Sequence, residues 1–384
     1  MSEPLYNLIV AGHPEEEQIS SITSTINDAI SPFGLNIGNE FIITIIKDEE
    51  FIPSQKSSSC AIFFGGGTKR QPNIESLMIN GISVIPVISQ INSVAQELPL
   101  ALQVLNCFSY VGDGPQRLTT TILECLGLLP KQRKVFVSYR RNESRNAALQ
   151  LFDVFSHHQY EVFLDTHSIK PGEVFQSTLW HNLCDCDVMV MLDTQNYFDS
   201  RWTSAEFGRA LAKGISILRV GWPNVPISKK LQTALDIQLE HVDLNIESGH
   251  ISETKTANIC RSVEILRSKS HAVRKLNLFS NIQKSVALIG GEILSVGANM
   301  TIYAELHGKQ RLTITPHVGI PTSYSLHDAI DKSSNSKAVI VYDEVGLDEK
   351  LKEHLSWLDR QIENGHYVKA SNVAWDLADL EDKQ

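Results

Sequence analysis

The sequence predicts an α/β protein made of three consecutive α/β units. Short runs of β-branched and aromatic residues recur along the chain, and segments with helical spacing of apolar residues lie between them. Strands that alternate with helices in this way form a mostly parallel sheet. A helix-stopping proline and a charged linker at residues 127–133 end the first unit, and an amphipathic segment at 254–269 closes the second. We therefore expect units at residues 1–130, 131–270 and 271–384.

Length and charge limit the classes of function. The 384 residues suit two or three domains, and the formal net charge of −10 argues against a nucleic-acid partner or an acidic membrane surface. The N-terminus has no basic region followed by an apolar segment, and no apolar run is long enough to span a bilayer. We expect a soluble, cytoplasmic protein without membrane contact.

The six cysteines are scattered, and most lie in apolar segments. Cys184 and Cys186 have the spacing of a metal pair, but no other Cys or His cluster accompanies them. Reduced core thiols are therefore the favoured interpretation, and no metal site is predicted.

The first unit has strand patterns at residues 8–11, 41–46, 61–64 and 82–88, with helical patterns at 19–30 and 118–126. A glycine run at 65–67 lacks the spacing of a phosphate loop, which favours a plain turn. Residues 75–87 resemble residues 206–220, since each segment is a helix, a Gly-Ile-Ser turn and a buried strand. The first unit is thus either a degenerate copy of the second unit or a sensor, although ordinary βαβ units look much alike.

The second unit contains the segment that predicts a binding site. Its strand patterns lie at residues 134–139, 160–165, 188–192 and 215–220, and helical patterns lie at 145–157, 174–183 and 254–269. After the third strand comes a helix on which Trp202 and Glu206 are four residues apart, so both lie on one face. This face is expected near the carboxyl edge of the sheet, where open α/β sheets bind ligands. We interpret it as a nucleotide site.

Glu206 has two possible roles in the local sequence. Thr203 and Glu206 fit the capping box S/T-x-x-E, in which the glutamate only satisfies backbone N–H groups at the start of a helix. If Ser200 instead precedes the helix, Glu206 lies in the second turn and faces the crevice. The local sequence leaves both alternatives open.

The third unit has strand patterns at residues 299–303, 312–315 and 338–344 and an amphipathic helix at 348–364. Residues 315–321 have the composition of a phosphate loop. A regulatory or assembly domain without a ligand is the favoured interpretation.

Three segments of the second unit together resemble the Toll/interleukin-1 receptor (TIR) domain family: residues 135–140, the loop 165–172, and Trp202 to Glu206 with Phe207 behind it. The resemblance covers about a third of the chain. It implies a flavodoxin-like domain with a parallel sheet and a mobile loop after the second strand.

The resemblance also implies roles for individual residues. Some TIR domains are signalling adaptors and others cleave NAD⁺, and the enzymes carry a glutamate on the helix after the third strand, here Glu206. The residues that would contact the nucleotide are, by the same resemblance, Tyr139, Arg140, Asp165, Ser168, Gly172 and Trp202.

The function that the resemblance implies is hydrolysis of NAD⁺ to nicotinamide and ADP-ribose or a cyclic ADP-ribose. NAD⁺ would be the substrate, and no further cofactor is expected. Multidomain prokaryotic TIR proteins resemble antiphage or immune effectors, which would be activated by assembly into a homo-oligomer through their TIR domains. A regulatory protein or a nucleotide signal would act on the flanking units. The alternative is a non-enzymatic TIR scaffold or adaptor.

Overall fold

The computed structural model describes residues 4–46, 57–66, 74–79, 82–164, 175–232, 234–307, 309–333 and 336–382. The chain divides into two compact units, Met1–Lys131 and Gln132–Gln384. Each unit is described by itself.

The first unit is a five-stranded parallel sheet covered by helices on both faces. Its strands are β1 (Tyr6–Gly12), β2 (Phe41–Ile45), β3 (Ser58–Phe64), β4 (Ser83–Ile88) and β5 (Phe108–Ser109). Its helices are α1 (Glu16–Ile30), α2 (Ile74–Ile79), α3 (Val94–Glu97), α4 (Leu100–Gln103) and α5 (Tyr110–Cys125). The strand order is β2-β1-β3-β4-β5, which is the flavodoxin-like order.

The second unit begins with a sheet of the same order. Its strands are β6 (Arg133–Ser138), β7 (Tyr160–Leu164), β8 (Val188–Asp193), β9 (Ser216–Gly221) and β10 (Leu235–Gln238). Its helices are α6 (Arg141–His157), α7 (Phe175–Asp185), α8 (Arg201–Ala212) and α9 (Glu253–Leu288). All strand pairs are parallel in the order β7-β6-β8-β9-β10. The predicted flavodoxin-like α/β fold is confirmed.

The side chains of this sheet alternate between two apolar layers, because successive residues of a strand point to opposite faces. One layer contains Val135, Val137 and Tyr139 and packs against α6 and α9. The other layer contains Phe136 and packs against α7 and α8. Residue 138 therefore faces α7 and α8.

The third sheet belongs to the same compact unit and is mixed. Its strands are β11 (Glu292–Val296), β12 (Ile302–Glu305), β13 (Arg311–His317), β14 (Lys337–Tyr342) and β15 (Gly365–Lys369). Its helices are α10 (Ser323–Lys332), α11 (Glu349–Gln361) and α12 (Val373–Asp382). β11, β12 and β13 are antiparallel neighbours, whereas β13, β14 and β15 run parallel.

Helix α9 packs against both sheets of the second unit. Val263 and Leu266 pack in the core of the preceding sheet, and Ile282 and Val286 pack in the core of the third sheet. The boundary expected between residues 270 and 271 lies inside this continuous helix. The buried side of α9 changes its packing partners along the length of the helix.

None of the helices in the described ranges combines the length and the apolar character that a membrane span requires.

The pairing of β1 with β3 at their carboxyl ends requires a glycine at the end of β1. Gly12 has φ +84°, and a Cβ there would collide with the carbonyl oxygen of Phe64. We predict that Gly12→Ala destabilises the first unit by about 2 to 5 kcal/mol through left-handed strain and this collision. Gly34→Ala is the control, since Gly34 has φ +72° but open space around it. Its cost should be about 1 kcal/mol.

Calorimetry should detect the lower stability of the first unit in Gly12→Ala. All five tryptophans lie beyond residue 131, so tryptophan fluorescence reports on the second unit alone. A fluorescence melting curve that stays unchanged while the calorimetric transition of the first unit moves down is the expected result. Equal calorimetric shifts in the two variants would contradict the prediction.

Candidate functional site

The candidate site lies at the carboxyl edge of the second sheet, between the ends of β6 and β8 and the start of α8. After β8 the chain forms a 3₁₀ turn, Tyr197–Asp199, and enters α8 through Ser200, whose backbone is extended. The Thr203 hydroxyl donates to the carbonyl of Ser200 over 3.2 Å and also to the carbonyl of Tyr197. These bonds fix the direction of the helix relative to the loop.

Glu206 is not the glutamate of a capping box in this fold. A capping-box glutamate is the third residue of its helix, whereas α8 begins at Arg201 and Glu206 is its sixth residue. The side chain is only 4% exposed and lies on the α7 and α8 side of the sheet. Of the two alternatives for the start of α8, the structure shows the one in which Ser200 precedes it.

A chain of hydrogen bonds from two distant residues holds the Glu206 carboxylate. The Ser138 hydroxyl, at the end of β6, donates to Glu206 Oε2. Ser138 Oγ also lies 2.6 Å from the hydroxyl of Tyr197. Because a serine has one hydroxyl proton and Ser138 gives it to Glu206, the Tyr197 hydroxyl donates to Ser138. The order of donation is Tyr197 to Ser138 to Glu206.

The electrostatic setting of this chain keeps Tyr197 protonated. Burial raises the pKa of the Tyr197 hydroxyl well above its ordinary value, and the nearby Glu206 charge raises it further. Tyr197 therefore remains a proton donor in this chain near neutral pH. Removal of any member leaves a buried polar group without its partner, which is costly in an apolar setting.

Arg140 lies at the same edge but is engaged with the loop after β8. Its NH1 donates to the carbonyl of Asn196 over 2.6 Å and lies 3.2 Å from Glu143. Glu143 in turn accepts a 2.8 Å hydrogen bond from the Asn196 amide. Burial acts to raise the pKa of Glu143, but the hydrogen bonds from Asn196 and the nearby Arg140 charge outweigh it and the pKa is lowered.

Trp202 and Glu206 lie four residues apart on α8 as predicted, but they differ in exposure. Trp202 is 37% exposed at the rim, and the Arg201 guanidinium lies 4.7 Å from the centre of its ring. The indole is therefore accessible to solvent, whereas the carboxylate is buried.

Tyr139 lies on the other side of the sheet. It is buried in the apolar layer that packs against α6 and α9, whereas Ser138 faces α8. The structure therefore does not bring Tyr139 beside Glu206, because one residue along a strand reverses the direction of the side chain. Asp165, Ser168 and Gly172 lie outside the described residues.

A second buried network, made of hydrogen bonds and ion pairs, connects the ends of the neighbouring strands. The Arg219 guanidinium, on β9, is 0% exposed, and its Nε donates to Asp193 Oδ2 over 2.6 Å. Its NH1 donates to Asp236 over 2.6 Å and to Gln238 over 2.9 Å, and its NH2 donates to the carbonyl of Val225. Burial raises the pKa of Asp193, and the bond from Arg219 offsets part of that effect. Asp193 therefore supports structure, and its charge also contributes to the raised pKa of Tyr197.

The sequence patterns do not single out Ser138, Tyr197 or Arg219 as site residues. The available signal was a hydroxyl at the end of a central strand, since strand ends at one edge meet in an α/β sheet.

Metal binding has no support in the described part of the chain, where no group of three or more His, Cys, Asp or Glu residues is placed to hold an ion. Cys184 and Cys186 are buried thiols without a disulfide, and burial raises the pKa of both.

Fold and site together define a flavodoxin-like domain with a glutamate buried at the carboxyl edge of its sheet. Residues 135–254 match the sequence model of the TIR domain family, so the chain contains a TIR domain over about a third of its length. No curated protein matches the chain.

Among solved structures, proximal thread matrix protein 1 from the mussel byssus is 11% identical over 69% of this chain and 96% of that chain, with a TM-score of 0.22. A similarity this low carries no argument about fold or function.

Disruption of the hydrogen bond between Asp193 and Arg219 should lower the stability of the domain. We predict that Asp193→Ala costs about 3 to 5 kcal/mol of unfolding free energy, because it leaves the buried Arg219 without its Nε acceptor. Asp236→Ala is the matched control, and it should cost about 1 kcal/mol because the Asp236 side chain is 29% exposed. Denaturant titration followed by tryptophan fluorescence measures both values, and equal costs would contradict the prediction.

Proposed function

We propose that the TIR domain is an NAD⁺ glycohydrolase, which releases nicotinamide and forms ADP-ribose or a cyclic ADP-ribose. Glu206 is the catalytic carboxylate of this proposal. The observation that carries it is the position of Glu206, buried at the carboxyl edge of the TIR sheet and held there by Ser138. This is the helix position at which the resemblance implies the glutamate of NAD-cleaving TIR domains.

The reaction suits a site with a single carboxylate. Cleavage at the nicotinamide ribose bond turns a cationic ring into a neutral leaving group, so the departure of nicotinamide needs no strong general acid. The ribose becomes positively charged in the transition state, and a carboxylate below it stabilises that charge. A setting with little water strengthens this stabilisation.

Ser138 and Tyr197 are positioning residues in this proposal. The donated hydrogen bond fixes the orientation of the carboxylate before substrate arrives, which avoids reorganisation during the reaction. Trp202 lies at the rim, where an indole can stack on a base or a nicotinamide ring. Arg140 can meet a phosphate with its fork of donors where its pair with Glu143 opens.

The wider role follows the same resemblance. The enzyme acts as a prokaryotic antiphage or immune effector in the cytoplasm, and assembly of several copies through their TIR domains activates it. The first unit and the third sheet sense the trigger or drive assembly. NAD⁺ is consumed as the substrate.

A non-enzymatic scaffold is the second candidate, and one observation favours it. Glu206 is nearly closed to solvent in the single chain and is bonded to Ser138. A carboxylate with only this structural role would hold α8 against the end of β6 and would leave the TIR surface to recruit other TIR domains.

The two candidates differ in the behaviour of Glu206→Gln, which keeps the size of the side chain and removes its charge. For the enzyme, nicotinamide release from NAD⁺ should fall by about 100-fold or more. Ser138→Ala, which keeps the carboxylate and removes its donor, should lower release by about tenfold, in line with the loss of one hydrogen bond to a charged group. Chromatography of the products measures both rates.

Glu75→Gln is the matched control. Glu75 is exposed on α2, the helix before the fourth strand of the first unit, as α8 precedes the fourth strand of the TIR sheet. It should leave release unchanged. Tryptophan fluorescence melting curves should show that the second unit stays folded in Glu206→Gln and Ser138→Ala, and calorimetry should show that the first unit stays folded in Glu75→Gln. Equal release from the native chain and Glu206→Gln would remove Glu206 from its role, and absence of release in every assembled form would favour the scaffold.

Activity should also depend on protein concentration. Because assembly completes the site in this proposal, the rate of nicotinamide release per chain should rise as the chain is concentrated or crowded. Light scattering on the same samples reports the size of the assemblies. A rate per chain that stays constant while the assemblies grow would contradict activation by assembly.

A further inference from the structure

The carboxyl edge of the third sheet faces the TIR sheet within the second unit. The loop after β13 is fixed there, since the backbone N–H of Ile320 donates to Asp185 Oδ1 over 2.8 Å. The loop after β14 is fixed as well, because Lys213 Nζ lies 2.7 Å from Asp343 Oδ2. Parallel α/β sheets bind their ligands at this edge.

Helix α9 presents basic side chains to this edge. His271, Arg274 and Lys275 are buried, and their spacing of three and four residues places them on one helical face. His317, the last residue of β13, completes the group. These four residues are called the junction cluster.

The charges of the junction cluster act on one another. Burial lowers the pKa of His271 well below its ordinary value, and the positive charges of Lys275 and Arg274 lower it further. Burial also lowers the pKa of His317, as do Lys275 and Arg274, while Asp185 opposes them. The cluster therefore repels additional positive charge.

The carboxylates near the junction cluster are already engaged. Asp187 pairs with Arg267 over 2.8 Å, Asp185 pairs with Lys134, and Asp343 pairs with Lys213. These three acids therefore neutralise cations outside the cluster.

Two cations of the cluster remain without a carboxylate. Arg274 donates to the backbone carbonyls of Cys186 and Cys184 over 2.9 and 3.1 Å. Lys275 is 5% exposed, and no described residue accepts a hydrogen bond from its ammonium group. Burial lowers the pKa of Lys275 to about 8, so most of it carries its charge at neutral pH. A negatively charged group would stabilise a positive charge buried in this way.

We propose that the junction cluster binds the phosphate group of a small anion between the third sheet and the TIR sheet. A phosphate carries two negative charges, which would balance the positive charges of Arg274 and Lys275. Lysine is a common phosphate ligand. His317 and the loop residues 318–320 are half-buried, so the anion enters from this side. The phosphate belongs either to the free inorganic ion or to a nucleotide. Binding does not depend on NAD⁺ cleavage.

The test compares thermal stability of the full chain with inorganic phosphate, with ADP, and with sodium chloride at equal ionic strength. Tryptophan fluorescence reports on the second unit. Phosphate should raise the melting temperature of the native chain, and Lys275→Met should need about tenfold more phosphate for the same rise, as expected for loss of one hydrogen bond to a charged group. Lys284→Met, at an exposed position of α9, should respond as the native chain does.

The comparison of ligands distinguishes the two sources. A rise with ADP at lower concentrations than with phosphate identifies a nucleotide phosphate, and a rise with inorganic phosphate alone identifies the free ion. No rise above chloride with either ligand overturns the proposal, as does an equal rise in native chain and Lys275→Met.

If Lys275→Met does not fold, a second measurement tests whether the junction cluster binds phosphate. The imidazole signals of His271 and His317 in the native chain can be titrated by NMR with and without phosphate. A bound anion should raise both pKa values toward the ordinary range, because it cancels the positive charge around them. Unchanged titration curves at saturating phosphate would rule out the site.

Discussion

The hydrogen bond from Ser138 to Glu206 is the contact on which the site at the TIR sheet depends. A buried carboxylate is stable only where donors meet it, and this donor comes from a strand 68 residues away in the chain. Tyr197 completes the chain of donors and ties in the loop after β8. One strand end, one loop and one helix are thereby held in a single arrangement around the acid.

The same constraint operates at the other strand ends of the second unit. Arg219 is surrounded by acceptors from β8, β10 and the loop after β9, and Arg267 on α9 bonds to Asp187 just before β8. Each of these guanidinium groups is fully buried. Because a planar guanidinium needs acceptors in fixed directions, each one locks the relative positions of the elements that supply them.

Helix α8 is attached at both ends to different parts of the unit. Its first turn is bonded to the loop after β8, and Lys213 at its end pairs with Asp343 after β14. Helix α8 has 12 residues, so these two attachments lie only about three turns apart. In the proposed function, the buried Glu206 carboxylate has to become accessible before it meets a nucleotide.

The sequence by itself determined the class of fold and the location of the site. Alternating strands and helices defined the parallel sheets, and the spacing of Trp202 and Glu206 after a buried strand placed a carboxylate on α8 near the carboxyl edge. These features are local, because periodicity and the order of elements are properties of neighbouring residues.

Only the tertiary structure decided which side chains meet that carboxylate. It joined Ser138 to Glu206, turned Tyr139 to the opposite face, placed Glu206 beyond the capping position, and carried α9 across the expected boundary. The position of Tyr139 depends on the register of a strand, where a shift of one residue reverses a face, and the role of Glu206 depends on the first residue of α8. Local patterns do not fix such registers, since packing between distant segments selects them.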